Sequence, residues 1–492
     1  MCADRAAGTW IRARSAQLSW ARSLIERPGM SDCSITTVEQ LVRHAKPGPR
    51  YTSYPPATEF TPSIDAVRAK AELARMASVS PTSPVALYCH LPFCRSLCWY
   101  CGCNVTATRN RSRATGYVDT LLTEIEMVGA ALGARPVVEI ALGGGSPNFL
   151  SIDDLSRLLA GLRRFVQFAP DMVGTVELDP RDTARAQLEV LAKGGFRRMS
   201  IGVQDFDPKV QDAINRHQSA AQTAQLVKDA RELGFDQVNI DLVYGLPHQT
   251  TDTVEHTLAE VLRIEPAQIA LFGYAHLPSR LPHQQLVERA GPLPGPPERA
   301  ALLLHAAAIL TAAGYQRIGF DHFARPDAEL AIAAREGRLT RSFQGYMVKR
   351  ADALIGCGAS AISDTGHMYW QNTPDVTDWA KGVTAGSLPV ARGVALDADD
   401  RLRRDVIERL MCDGTIDLAA ASARHGIEVE QHLAAELARL AEPATVELVE
   451  YDRSARTLTA TNLGRPLVRN ICMVFDRYLD PNLPAGRFSP SF

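Results

Sequence analysis

Cys94-Arg95-Ser96-Leu97-Cys98-Trp99-Tyr100-Cys101-Gly102-Cys103 sets three cysteines at spacings of four and three, with a fourth two residues on. Thiolates are soft ligands that select zinc or iron–sulfur clusters over hard cations. A structural zinc site takes four ligands, commonly as two separated pairs, and no second pair follows this loop. Three clustered cysteines suit a [4Fe-4S] cluster on Cys94, Cys98 and Cys101 that leaves one iron open, so Cys103 is expected not to be a ligand. An open iron can chelate the amino and carboxylate groups of S-adenosylmethionine. Homolysis of that cofactor yields a primary carbon radical that attacks unactivated C–H bonds, chemistry that belongs to the cofactor and not to acid–base side chains.

Around this loop the chain alternates β-rich runs with amphipathic helices, the pattern of βα units on a parallel sheet. Six strands are expected, at 85–90, 137–142, 175–178, 199–204, 238–244 and 269–275. The helices between them carry the 3.6 period, as in Leu155, Leu158, Leu159, Leu162 and Val166, with Ser151 and Asp154 as a capping signal. Tyr117, Leu121 and Ile125 form a second such face and Val254, Leu258 and Val261 a third, while Gly194-Gly195 and Gly234 close two helices.

Each strand runs into a polar or glycine-rich signature. These are the cysteine loop, Gly143-Gly144-Gly145-Ser146, Glu177-Leu178-Asp179, Gly202-Val203-Gln204-Asp205, Asp241 to Pro247, and Tyr274-Ala275-His276. In barrel-like α/β folds the C-terminal strand ends share one rim, so the six signatures are expected to build one site. The glycine triplet permits close backbone approach, and Tyr100 is placed to pack on an adenine. Glu177, Asp179, Gln204, Arg216 and Asp241 are candidates for ribose hydroxyls and the methionine head group. His276 reads equally as a structural histidine or a proton donor.

The 492 residues suffice for more than one unit, and a net charge of -2 with 46% hydrophobic residues gives no global argument for nucleic acid. No apolar run approaches the roughly 20 residues of a membrane-spanning helix. Ten cysteines, half of them within 89–103, do not form a disulfide framework, which points to a reducing, cytoplasmic setting. Residues 1–29 are Arg-rich and poor in acids, but they lack the serine content and continuous amphipathicity of a transit peptide; we read them as an extension upstream of a start at Met30. The organisation expected is an arm at 30–84, a catalytic unit at 85–390 and a substrate-covering unit at 391–492. Within it, the proline-rich run from Pro278 to Pro297 is a lid or a connector. The last hundred residues suggest helices at 401–411, 429–440 and 464–478 and a hairpin at 445–461. That order resembles a winged helix, read as a packing or lid unit because no basic stripe accompanies it.

These blocks resemble the oxygen-independent coproporphyrinogen III oxidase family of radical S-adenosylmethionine enzymes. The likeness covers nearly everything after Met30, through Gly48 to Pro55, Tyr88 to Cys103, the glycine triplet, Glu177 to Arg181, Gly202 to Phe206, Asn239 to Pro247, Tyr274 to Pro278, Asp321 to Pro326, Phe343 to Tyr346 and Arg469 to Met473. It implies a partial (β/α)6 radical SAM barrel with an N-terminal arm and a mainly helical, winged-helix-like C-terminal domain. It also implies one [4Fe-4S] cluster, two molecules of S-adenosylmethionine, and decarboxylation of two propionates of coproporphyrinogen III to vinyl groups in haem synthesis by a 5′-deoxyadenosyl radical. By motif, Tyr88, Gly144 and Glu177 correspond to contacts of the cluster-bound cofactor. Tyr100, Gly145, Ser146, Gln204, Arg216, Asp241, Ala275 and Ile362 correspond to contacts of one or other cofactor molecule. Cys103 joins Tyr88 and Glu177 as an expected catalytic residue. The implied partners are coproporphyrinogen III, an electron donor and an electron acceptor, for a monomer that neither binds nucleic acid nor enters a membrane.

Ser146, Leu142, Cys89 and Gly273 stand where the family usually has threonine, tryptophan, valine and asparagine, and Tyr100 where phenylalanine is frequent. Leu142 and Gly273, at strand ends, are expected to alter the substrate wall. Three other readings compete: a haem chaperone, an anaerobic haem-modifying methyltransferase, and a zinc-stabilised binding module with a DNA-reading end. The chaperone typically lacks the Cys103 pattern and the Gly48 to Pro55 block.

Overall fold

Successive residues of a strand face opposite sides, so a strand buried on both faces needs apolar neighbours on one side and a lumen on the other. The computed structural model describes residues 36–480 and 488–492. The expectation for residues 1–29 therefore lies outside the described residues. Six parallel strands follow one another in sequence order: β1 (Val85–Leu91), β2 (Val137–Gly144), β3 (Phe168–Leu178), β4 (Phe196–Gln204), β5 (Gln237–Tyr244) and β6 (Gln268–Gly273). Between them run α1 (Ser112–Leu132), α2 (Ile152–Phe165), α3 (Arg185–Lys193), α4 (Ala220–Glu232) and α5 (Thr251–Ile264), with α6 (Pro296–Ala312) after β6.

The helical period does what it predicts: Leu155, Leu158, Leu159 and Leu162 are all buried on α2, each contributing about 2 kcal/mol relative to exposure. Ser151 caps α2 by accepting from the Asp154 N–H, and its hydroxyl donates to the Asp154 carboxylate at 2.8 Å. Gly195 and Gly234, at φ of 95° and 91°, take the left-handed turns after α3 and α4.

The sheet is larger than expected. Beyond β6 it continues through β7 (Gln316–Ile318) and β8 (His322–Ala324). Beyond β1 it continues through β9 (Ala353–Cys357), β10 (Ile362–Asp364), β11 (Met368–Asn372) and β12 (Val390–Ala395). The order is β12-β11-β10-β9-β1-β2-β3-β4-β5-β6-β8-β7, twelve strands in one sheet. Of the added strands only β9 runs parallel to its neighbour β1; the others pair antiparallel. These strands are short and carry no βα rhythm, which is why periodicity misses them.

Between β11 and β12, α7 (Val376–Thr384) packs on α1; after β12, α8 (Ala398–Asp413) opens the C-terminal part. There a three-stranded sheet joins Thr415–Asp417, Thr457–Ala460 and Val449–Asp452. The hairpin is where it was expected, but the segment at 429–440 splits into Val429–His432 and Ala434–Arg439, and that at 464–478 is helical only over Val468–Cys472. One hydrophobic core runs from the barrel (Leu87, Ile140, Leu258) into this part (Val406, Leu410, Phe475). The two ends of the described chain meet: the Arg469 guanidinium donates to the carbonyls of Gly48, Pro49 and Pro490, and Asn470 donates to the His44 carbonyl.

Candidate active site

The cysteine loop leaves β1 and is held from several sides. Phe93–Cys94 pairs with Thr106–Ala107, and the Trp99 N–H donates to the Ile214 carbonyl at 3.0 Å. The Asn215 amide donates to the Leu97 carbonyl at 2.9 Å. His283 meets the Cys101 carbonyl at 2.7 Å, and Gln284 donates to the carbonyls of Tyr100 and Ala275 at 3.0 and 3.2 Å. The proline-rich run thus clamps the cysteine loop through His283 and Gln284.

The thiols of Cys94, Cys98 and Cys101 are free. Cys94 Sγ lies 3.6 Å from Ser146 Oγ, and Cys98 Sγ lies 3.4 Å from Arg216 and 3.8 Å from Arg181. Burial pushes the Cys94 thiol up to about 11, while the hydrogen bond from Cys103 pulls Cys101 down to about 6. Among the described residues no three Cys, His, Asp or Glu side chains converge as they would round a single ion; thiolates that each bind a different iron of a cubane do not converge on one point.

The glycine triplet forms a cradle. A Cβ on Gly143 would meet the Glu177 carboxyl at 2.6 Å, one on Gly144 the His90 ring at 2.3 Å, and one on Gly145 the Leu91 and Phe93 carbonyls at 2.7 Å. Gly144 also has φ of 103°, which a side chain disfavours. Glu177 accepts from the Gly144 N–H at 2.9 Å, and burial raises its carboxyl to about 7. Tyr88 shares its hydroxyl with His90 Nδ1 at 3.0 Å, and the other ring nitrogen meets the Asn104 carbonyl at 3.0 Å. His90 sits two residues beyond Tyr88 on the same face of β1, a parity that could have marked it from sequence.

On the far side, Asp241 accepts from Ser200 at 2.9 Å and Asn239 at 2.7 Å, and burial raises its carboxyl. Gln204 takes φ of 72°, turns its amide against Gly202, and makes no side-chain hydrogen bond among the described residues. Tyr100 packs with Val210, Val243 and Tyr274. Arg216 spends its guanidinium on the Gly202 carbonyl, Asp179 and the Cys98 sulfur, with Nε unpartnered. Asp179 in turn is gripped by Arg181 at 2.6 Å, so a buried ion network that the sequence did not reveal braces Cys98. Ala275 stands at the clamp, and Ile362 on β10 faces a neighbouring cavity.

His276 bonds Tyr274 and Glu288 through its two ring nitrogens at 2.9 and 2.6 Å. One expectation changes. Leu142 does not reach the lumen: residues 139, 141 and 143 of β2 point inward, and Leu142 packs in the main core at 1% exposure. Gly273 does stay at the rim, where its carbonyl accepts from Arg50 at 2.8 Å.

The donor set fits the cluster and its cofactor: three free thiols on a pinned loop, a glycine cradle no side chain could share, and a nearly unsatisfied carboxyl beside it. A parallel partial barrel with such a loop after its first strand defines a radical S-adenosylmethionine protein, and the Radical SAM superfamily model matches residues 88–261. The chain is 40% identical to the oxygen-independent coproporphyrinogen III oxidase of Pseudomonas aeruginosa over 453 residues, 91% of this chain and 96% of that protein. It is 41% identical to the protein of that name from Escherichia coli over 90% of this chain and 95% of the other, and 42% identical to that of Bradyrhizobium diazoefficiens over 88% and 95%. The solved structure of coproporphyrinogen III oxidase from Escherichia coli, a radical SAM enzyme, superposes with a TM-score of 0.85 at 39% identity, covering 91% of this chain and all (100%) of that one. The chain belongs to the oxygen-independent coproporphyrinogen III oxidase family.

Proposed function

We propose that this protein oxidatively decarboxylates two propionate side chains of coproporphyrinogen III to vinyl groups without oxygen, giving protoporphyrinogen IX. The observation that carries this reading is the meeting of the cysteine loop, the glycine cradle and Glu177 on one rim, in a chain related end to end to oxidases of that name. Cys94, Cys98 and Cys101 hold the cluster. Bound there, the cluster and two molecules of S-adenosylmethionine supply the carbon radical that takes a hydrogen atom from the propionate β-carbon.

The chain's own residues bind, orient and exclude water. Gly143 to Gly145 let backbone reach the methionine moiety, and Glu177 accepts from its polar hydrogens. Tyr88 and His90 fix the wall beside Glu177. Ser146 stands at the end of the cradle beside Cys94; Tyr100, Gln204, Asp241 and Ala275 line the opposite side, while Arg216 holds Cys98 in place. Each propionate then loses CO2 and one electron, which passes to an acceptor. No described helix is long and apolar enough to cross a membrane. The free cysteines fit a reducing compartment, and the reading takes the protein as a cytoplasmic enzyme served by an electron donor.

The test is anaerobic incubation of the reduced protein with coproporphyrinogen III and S-adenosylmethionine. The expected products are protoporphyrinogen IX, two CO2, and one methionine and one 5′-deoxyadenosine per propionate. Tight haem binding with the substrate returned unchanged indicates a chaperone instead; S-adenosylhomocysteine or a methylated, ring-opened product indicates a methyltransferase.

A further inference from the structure

A cavity of about 360 Å3 opens at the level of the N-terminal halves of β1, β2 and β9, in the lumen below the rim, within the range that takes drug-sized ligands. Its inner wall is barrel lumen: Ala86 shares the face of β1 that carries Tyr88, Glu139 the face of β2 that carries Gly143, and Ile362 lines it too. Its outer wall is α8, which presents Arg401, Arg404, Asp405 and Glu408 at i, i+3, i+4 and i+7. The strand Leu339–Ser342 closes a third side with Arg341, and Phe343, 37% exposed, stands at the mouth.

Most charges in this lining already have partners. Arg404 forks onto Asp364 at 2.9 and 2.6 Å. Glu139 pairs with Arg198 at 2.7 Å and Asp405 with Arg424 at 2.8 Å. Glu408 accepts from the Thr340 hydroxyl and the Arg341 N–H.

Two arginines differ. Among the described residues Arg401 donates only to the Leu396 carbonyl, at 2.8 Å, and has no carboxylate within ion-pair distance. Arg341 is only 9% exposed, is fixed over the rings of Tyr346 and Phe320 at 4.4 and 4.9 Å, and finds its nearest carboxylate, Asp321, at 3.7 Å, with that group already bound by His322 at 2.7 Å. Its Nε donates to the Arg50 carbonyl at 3.4 Å, and its Nη1 has no hydrogen-bond partner among the described residues. A buried guanidinium left short of an acceptor is costly unless a ligand anion completes it, and the planar fork matches a carboxylate.

We propose that Arg341 and Arg401 are carboxylate anchors for the tetrapyrrole, specificity residues that grip propionates not being removed while another is held at the rim. The proposal rests on the oxidase reading above. It gives the C-terminal part its covering role, since α8 supplies half of the grip.

The experiment is anaerobic steady-state turnover of coproporphyrinogen III by the cluster-loaded wild type, Arg401→Gln, Arg401→Lys and Arg341→Lys, with coproporphyrinogen III tetramethyl ester as competitor. Loss of one charge-assisted contact should raise KM about ten- to a hundredfold in Arg401→Gln with a much smaller change in kcat, and lysine should recover part of it. The ester should compete weakly against the wild type, and Arg401→Gln should discriminate less between acid and ester. Unchanged KM in both Arg401→Gln and Arg341→Lys overturns the proposal, as does a fall in kcat alone with ester discrimination intact. A cluster-loaded wild type that leaves coproporphyrinogen III untouched defeats the oxidase reading instead, so the two failures are distinguishable.

Discussion

Glu124 and Glu177 are two glutamates on opposite sides of the barrel wall, and burial pushes both carboxyls up to about 7. Their surroundings are otherwise unlike. Glu124, on α1 and 1% exposed, accepts from the Gly358 N–H at 2.7 Å, the Trp379 indole at 2.9 Å and the Asn372 amide at 2.6 Å. Glu177, in the lumen, accepts among the described residues from the Gly144 N–H alone. A perturbed carboxyl is therefore no mark of function by itself. What separates the two is satisfaction: Glu124 is completed by the fold, whereas Glu177 has acceptor capacity left over beside a cradle that excludes side chains.

The cysteines divide in the same way and give the largest expected effect. Cys89 and Cys357 face each other across β1 and β9, fully buried in the core, with thiols raised by burial. Replacing Cys94, Cys98 or Cys101 with Ala should abolish bound iron and all turnover, read by iron and sulfide assay. Cys89→Ala, Cys357→Ala and Cys103→Ser should each retain iron. Iron loss in Cys103→Ser as complete as in Cys94→Ala would falsify the three-cysteine, open-iron assignment.

The glutamates themselves come next. Glu177→Gln should fold with its cluster but lose about ten- to a hundredfold in S-adenosylmethionine cleavage, the worth of one charge-assisted contact. Glu124→Gln should do the reverse: it puts an amide N–H2 against donors, costing about 1–3 kcal/mol of stability, seen as a lowered denaturant midpoint with iron and kcat kept. If Glu124→Gln instead abolishes cleavage while melting like the wild type, the division between a structural and a functional carboxyl is wrong.

How far the sequence carried this picture depends on the range of the interactions involved. The cysteine loop, the triplet and the six central strands are local patterns, and spacing or periodicity reports them directly. The misplacement of Leu142 had a local remedy: with Glu139 and Gly143 turned inward, position 142 must face the helices. The brace from Asp179 through Arg216 to Cys98 joins residues 37 and 118 positions apart, and nothing in either segment announces the other. The strands β7 to β12 are three to six residues long, too short for alternation to stand out. The partners of Glu124 come from the loop after β9 (Gly358), α7 (Trp379) and β11 (Asn372), which only the fold assembles.

The smallest effect is a slope. In the native state both glutamates hold a proton at pH values where the unfolded chain, with an ordinary glutamate near 4.5, has released it. The contribution each makes to stability is therefore fully present below about 4.5 and is lost as pH rises towards about 7. The groups facing Glu124 from the neighbouring elements are Tyr117, Cys89 and Cys357, all raised by burial and so neutral throughout that window. No cation there masks the titration. Chemical denaturation measured at steps between pH 4.5 and 7.5 should show stability falling with pH, and Glu124→Gln should flatten that fall while lowering the whole curve. Glu177→Gln should flatten it as well, with little lowering, because only one protein donor is disturbed. Saturating S-adenosylmethionine should then remove the Glu177 part of the slope from the wild type and leave the Glu124 part. A slope in Glu124→Gln identical to that of the wild type would show that the carboxyl is already ionised in the folded protein, held by its three donors against burial.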